Sequence, residues 1–359
     1  MPATGSQLDG APTSVAKSAH EGGALPHAGA SAVIERTEAF KGKEFVRPPD
    51  LSVIVVTHNR PELALLTLNT ALAAIGDLDV QWIVVDSGST DDTPERIEAA
   101  HPDVTVLRER NIGFAAANNR GLSLVRGRYV LLLNPDVETL SGTYDGLVAT
   151  LDARTEIGVA SVTQTMPDGR LERSIRRFPS PTSAFAEALA ASRWFPFLGF
   201  GEEEPRAARY RSETYADWLV GAFLIARAEA LREVGGLDER FFLYSEETDW
   251  CYRFRQAGWK VAHLPVMEVA HHTTRTPRPD LNAQLSHAKV LFARKHYGRA
   301  RVAAIRAALV IRHALRAGAF SALALVRRAQ APHAQAERRA LAVVLGFAPP
   351  PFAGASPTT

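Results

Sequence analysis

Three carboxylates fall within four residues at Glu246, Glu247 and Asp249, directly after the run Phe241-Phe242-Leu243-Tyr244-Ser245. Ser245 predicts a helix start there, because a hydroxyl caps free amides and acids suit the positive end of the dipole. Capping needs only one or two acids. A third, beside aromatic side chains able to exclude water, also offers a general base. Asp136 offers different chemistry. Tyr129 to Leu133 is a continuous apolar run, as in a strand buried on both faces, and Asn134-Pro135 ends it. Asp136 is then presented past the carboxyl end of a strand, where open α/β sheets bind ligands. A carboxylate there either closes an Asx-type turn or holds a divalent cation for a diphosphate. His271-His272 reads either as a polar loop or as the source of a second ligand. Arg170, Arg173, Arg176 and Arg177 form either a solvated basic loop or a grip on a phosphate-bearing acceptor.

Such residues need elements that bring them together. Apolar runs predict strands at residues 51–57, 81–85, 104–107, 129–133, 158–163 and 260–264. Helical spacing of Leu65, Leu68 and Leu72 follows Asn59, a candidate cap, and Pro61 in the first turn. Further helices are expected near 93–100, 115–125 and 141–151, with a variable insertion at 195–215. Strands alternating with helices imply an α/β fold on a mostly parallel, doubly wound sheet. Its strand ends, Thr57/Asn59/Arg60, Asp86 and Asp136, then share one edge. No glycine-rich dinucleotide or P-loop fingerprint follows any of these strands, which argues against a dehydrogenase and a P-loop NTPase.

The chain has 359 residues, 46% of them hydrophobic, enough for a substantial core. Its net charge of +2 hides an asymmetry: residues 281–336 hold ten Lys/Arg and no Asp or Glu. That segment is helical by pattern, and reads either as a solvated helical hairpin packed on the catalytic domain or as a peripheral contact with an anionic leaflet. Cys251 is the single cysteine, which excludes an internal disulfide and fits a reducing cytosol. No apolar run predicts a transmembrane helix, and the N-terminus does not read as a secretory signal. The expected division is a disordered tail at 1–48, a catalytic domain at 49–280, basic helices at 281–348 and a frayed end at 349–359. The catalytic domain divides into a donor half, 49–165, and an acceptor half, 166–280.

With those residues in view, the chain resembles the family 2 inverting glycosyltransferases, in their rhamnosyltransferase-like branch. The matching stretches are Ser52 to Pro61, Val85 to Asp91, Asn111-Ile112-Gly113-Phe114, Leu132 to Asp136, Trp218 to Phe223 and Gly236 to Gly258. The resemblance implies a GT-A-type nucleotide-binding fold with C-terminal helices. It implies that Thr57, Asn59, Arg60, Asp86, Ser89, Asn111, Gly113 and Asn134 line the donor nucleotide. Asn134-Pro135-Asp136 stands at the family's Asp-x-Asp motif, leaving Asp136, with His271, to hold Mg²⁺ or Mn²⁺. Glu246-Glu247 stands at the family's Glu-Asp pair, so the base is Glu247, with Glu246 and Asp249 as the other catalytic candidates. Trp218, Gly221, Ala222, Arg173 and Arg176 are implied on the acceptor side. The implied donor is a nucleoside-diphosphate sugar, with dTDP-rhamnose or a UDP-sugar as candidates. A glycan or lipid-linked glycan is the implied acceptor, the setting is cytoplasmic or the inner face of the membrane, and nucleic acid is not a partner.

Rival readings are a sugar-nucleotide pyrophosphorylase, which would need a triphosphate loop, and a non-catalytic nucleotide-sugar sensor, which would lack the base and metal positions. A membrane-associated scaffold would rest on the basic C-terminal region alone.

Overall fold

The computed structural model describes residues 48–194, 199–272 and 279–352. The expected tail at 1–48, except its last residue, lies outside the described residues. So do residues 195–198 of the expected insertion and 353–359 of the expected frayed end.

The donor half is built from β1 (Leu51–Thr57), α1 (Pro61–Ala73), β2 (Val80–Ser87), α2 (Thr93–Ala100), β3 (Thr105–Glu109), α3 (Phe114–Leu122), β4 (Tyr129–Leu133), β5 (Val137–Ser141), α4 (Tyr144–Asp152) and β6 (Ile157–Thr165). Then come β7 (Ile175–Arg176), α5 (Pro181–Ala188), β8 (Thr214–Tyr215), β9 (Trp218–Leu219), β10 (Phe223–Arg227), α6 (Ala228–Val234), α7 (Glu246–Gln256) and β11 (Lys260–His271). Three helices end the described chain: α8 (Pro279–His296), α9 (Arg299–Val326) and α10 (Ala331–Leu345).

The main sheet runs β3-β2-β1-β4-β10-β6-β11-β5, with β8 on β11. β1 to β4 are parallel, as their alternation with helices predicts. β10 departs from that pattern, lying antiparallel between β4 and β6. β5, which sequence reading missed, pairs antiparallel with β11. The sheet is therefore mixed. Its central runs are apolar throughout because both faces are covered. Val53, Val55, Leu131 and Leu133 enter one core, and Ile54, Val56, Val130 and Leu132 enter the other.

The C-terminal helices share a core with the acceptor half. Ala184 and Ala188 of α5 pack with Val290 and Ala293 of α8 and with Ile305, Ala308 and Leu309 of α9. By length and composition α9 could cross a bilayer, which sequence reading did not expect; Ile305, Ala308 and Leu309 are packed on protein, while only 17% of its apolar stretch is buried.

Candidate active site

Register explains how distant residues meet. Thr57 pairs with Asp86 across β1 and β2, and Ser87 pairs with Glu109 across β2 and β3. The loops after these strands therefore leave from one edge, carrying Asn59, Ser89 and Asn111. Ser89 donates its amide to Asp86 Oδ2 at 3.1 Å and its hydroxyl to Oδ1. Asn59 donates its amide to Ser89 Oγ at 2.9 Å and accepts from the Thr90 amide at 2.7 Å. The expected capping role of Asn59 is thus corrected. It sits at φ +51°, pinned to the neighbouring loop, and Arg60 takes the N-cap position without a side-chain cap. Thr57 Oγ1 is buried with no hydrogen-bond partner among the described residues.

Gly113 has φ +90°, and a Cβ there would come within 2.6 Å of the Phe242 ring. Asn111 Oδ1 accepts from the Gly113 amide at 3.3 Å, and Phe114 donates to the Phe242 carbonyl at 2.7 Å. This turn therefore lies directly against the segment that leads into Glu246 and Glu247.

Asp136 lies between two cations. Arg60 Nη1 is 3.4 Å from its Oδ2, and His271 Nε2 is 3.4 Å from its Oδ1. Burial works to raise this carboxyl, but the proximity of His271, then of Arg60, outweighs it and holds the group below its ordinary value. His271 is not in a loop after a short strand, as its sequence context predicts, but is the last residue of the twelve-residue β11. Burial would lower its ring, yet Asp136 on one nitrogen and Glu172 on the other, 3.0 Å from Nδ1, push it up to about 9.

Residues here fit a divalent cation. Asp136 Oδ1 and Asn134 Oδ1 are buried without hydrogen-bond partners, and an imidazole nitrogen stands beside them. Among the described residues no cluster of three His, Cys, Asp or Glu closes a cage. An open set of this kind, with hard oxygens and one imidazole, suits an ion that completes its shell with diphosphate oxygens and water.

The second centre is joined to the first through the backbone. Asn134 donates its amide to the Ala222 carbonyl at 2.9 Å. Next to Ala222, Gly221 packs on Glu247: a Cβ added to it would lie 3.3 Å from Glu247 Cβ. Tyr244 and Ser245 both have positive φ, +71° and +65°, and no Ser245 side-chain bond caps α7. The predicted hydroxyl cap is therefore absent. The chain instead takes two left-handed steps that turn Glu246 and Glu247 into the fold.

These acids have distinct surroundings. Burial raises the Glu247 carboxyl to about 7, against the lowering effect of backbone amides and Arg176, and its Oε2 has no hydrogen-bond partner. Glu246, deeper, is pushed well above its ordinary value by burial and by the charge of Glu247. Asp249 is fully buried and tied to Arg253 at 2.9 Å, Lys295 at 2.6 Å and His296 at 2.7 Å. Burial would raise it, but these partners hold it low. That speaks against it as the base: its own oxygens are already occupied, Oδ2 by Arg253 and Oδ1 by Lys295 and His296, and it fastens α7 to α8.

Glu247 opens into a cavity of about 690 Å³ whose wall includes Arg173, Arg176, Trp218, Val220 and Lys289, together with Arg312 and Arg316 of α9. Arg176 lies over the Trp218 ring at 5.7 Å and pairs with Glu203 at 3.1 Å. Of the four loop arginines, Arg173 and Arg176 face this cavity. Arg177 lines an adjacent one, and Arg170 pairs outward with Asp168.

Sequence reading missed Glu172, which orients His271, and Lys289, Arg312 and Arg316. Glu172 has no local signal. The arginines are i and i+4 on one helix face, a spacing that marks a shared surface without saying what it meets.

Residues 52–211 match the family model described as Glycosyl transferase family 2. Over 308 residues the chain is 29% identical to N-acetylglucosaminyl-diphospho-decaprenol L-rhamnosyltransferase of Mycobacterium tuberculosis, spanning 77% of this chain and 97% of that protein. It is 25% identical over 179 residues to rhamnosyltransferase WbbL of Escherichia coli, spanning 46% of this chain and 63% of the other. In fold it is similar to the mannosyltransferase PcManGT from Pyrobaculum calidifontis, solved with GDP-Man and Mn²⁺. That match has a TM-score of 0.50 and 17% identity over 88% of this chain and 93% of that one.

Proposed function

We propose that this chain, a family 2 glycosyltransferase of the rhamnosyltransferase-like kind, moves a sugar from a nucleoside-diphosphate sugar to a hydroxyl of a glycosyl-diphospho-lipid, inverting the anomeric centre. The observation that carries the reading is Glu247: a carboxylate raised to about 7, with an unpartnered oxygen, opening into a cavity next to the Asn134–Asp136 strand end. A base poised near the working pH is what deprotonation of a sugar hydroxyl requires.

In this mechanism the donor nucleotide lies along the edge formed by Thr57, Asn59, Asp86, Ser89 and Asn111. Asp136, Asn134 and His271 would hold Mg²⁺ or Mn²⁺, whose chemistry there is to neutralise the charge of the departing diphosphate. Arg60, paired with Asp136, is placed to add a fixed positive charge on the same side. Glu247 takes the proton from the acceptor hydroxyl. That oxygen then bonds to the anomeric carbon from the face opposite the diphosphate, and the carbon–diphosphate bond breaks. Trp218 gives the acceptor sugar an apolar floor and Gly221 leaves Glu247 room to reach it, while Arg173 and Arg176 face it across the cavity. The acceptor class is drawn from the Mycobacterium tuberculosis relative. The reading sets the enzyme at the cytoplasmic face of a membrane, where such donors and acceptors meet.

The test is incubation with a panel of nucleotide sugars, with and without EDTA, following release of nucleoside diphosphate and then transfer to a glycosyl-diphospho-lipid. Donor cleavage that needs added Mg²⁺ or Mn²⁺ is expected. Absence of cleavage across the panel would sink the proposal, and full activity in excess EDTA would remove the metal from it.

A further inference from the structure

We propose that Arg312 and Arg316 of α9 bind the diphosphate of the acceptor, so that the C-terminal helices form one wall of the acceptor subsite. This rests on the diphospho-lipid reading above. Both side chains open into the cavity that holds Glu247, and Arg173 and Arg176 line the same cavity. Their positions are fixed rather than adventitious. Ile305, Ala308 and Leu309 bury α9 against α5, and His313, between the two arginines, bonds Ser286 of α8 at 2.9 Å and Glu337 of α10 at 2.6 Å.

The carboxylates around them are shared between basic groups. Glu187 serves both Arg312 at 3.1 Å and Lys289 at 3.5 Å, and Lys289 also pairs with Glu202 at 2.9 Å. Glu337 serves both Arg316 at 2.7 Å and His313. Glu203 serves both Arg173 at 3.6 Å and Arg176. Burial also pushes Glu202 and Glu247 on the same wall toward their neutral forms. A guanidinium carries five donors in a planar fork and is used up by none of these pairs, which leaves N–H groups for bidentate contact with phosphate. Farther along the same helix, seven residues on and so on the face of Arg316, Leu323 is exposed, an apolar contact for a lipid chain leaving a diphosphate at Arg316. A neutral acceptor would leave these cations unused.

Titration of the full chain with geranyl diphosphate and with geraniol, in EDTA, tests the idea. Arg312→Gln and Arg316→Gln together should weaken geranyl diphosphate binding by about tenfold or more, while the double lysine variant, which keeps the charge without the fork, restores only part of it. Arg96→Gln with Arg108→Gln, on the surface of α2 and β3 away from this cavity, controls for the two lost charges and should bind the probe as the wild type does. In turnover, the double glutamine variant should raise KM for a glycosyl-diphospho-lipid but not for a neutral glycoside of the same sugar, with kcat held. Glu187 keeps Lys289 and Glu337 keeps its hydrogen bond with His313, so the fold should survive; if the double variant does not fold, Arg312→Gln alone is read the same way. Equal affinity for the two probes in the wild type, unchanged binding in the glutamine variants, or an equal KM change on both acceptors overturns the inference. Arginine-dependent probe binding without transfer to any acceptor would uphold the subsite and defeat the transferase reading.

Discussion

Glu247 can accept a proton only from its ionised form, so its raised value sets the acid limb of turnover. The rate should rise with pH up to about 7 and level off. Glu247→Gln keeps shape but cannot take a proton. Turnover should fall by roughly 10²–10⁴-fold with donor affinity kept, and a variant with near-normal turnover would move the base elsewhere. Stability carries an independent signature. The folded-state value lies above the ordinary 4.5, so stabilisation by neutral Glu247 is complete below the unfolded value and lost as pH rises through about 7. Glu247→Gln stays neutral throughout. It should melt with the wild type near about pH 4 and above it near about pH 8; a constant offset at both would show that the carboxyl is not buried in solution. The sequence made three acids visible but could not rank them. Their roles separate only through long-range neighbours, such as Lys295 and His296 on Asp249 and the close approach of Gly221 to Glu247.

Among elements, α7 is held at its N-terminal end. Its entry strains Tyr244 and Ser245 into left-handed backbone, and its first turn is fastened to α8 through Asp249. Asp249→Ala should cost about 3–5 kcal/mol in chemical denaturation, because Arg253, Lys295 and His296 lose a buried counter-charge together. A loss below about 1 kcal/mol would mean the cluster is solvated. The strands were legible wherever both faces are buried, since a continuous apolar run has little other explanation. The direction of β10 was not, because periodicity carries no sense of parallel or antiparallel. Nor was the full length of β11, which passes Pro265 through a register irregularity between His263 and Glu268; a proline in a run ordinarily argues for its end.

For the molecule as a whole, the basic C-terminal region packs on the catalytic domain, as the hairpin reading expects. From sequence, truncation after about Tyr297 should cost membrane binding more than turnover. The packing reverses that order. Truncation uncovers Ala184, Ala188 and Val290 and removes Arg312 and Arg316 from the cavity, so turnover and melting temperature should fall together. Membrane contact is better probed where α9 leaves the core. Leu325 and Val326 are 88% and 85% exposed beside Arg327 and Arg328. Leu325→Ser with Val326→Ser should lower flotation with anionic vesicles by about tenfold without moving the melting temperature. Flotation that survives this change and is insensitive to salt would assign attachment to another surface.

The pairing of His271 with Val137, next to Asp136, has a further consequence. The spacing between Asp136 and His271 is inherited from the pitch of a β-ladder, about 4.8 Å between strands, rather than from loop conformation. Such a pair tolerates drift around it. Insertions and substitutions after Glu172 and before β9 can reshape the acceptor side without retuning the donor side, because the ladder buffers one from the other. Diversification should therefore accumulate in the segments that hang from the sheet, while the sheet itself passes from one descendant enzyme to the next almost unchanged in outline.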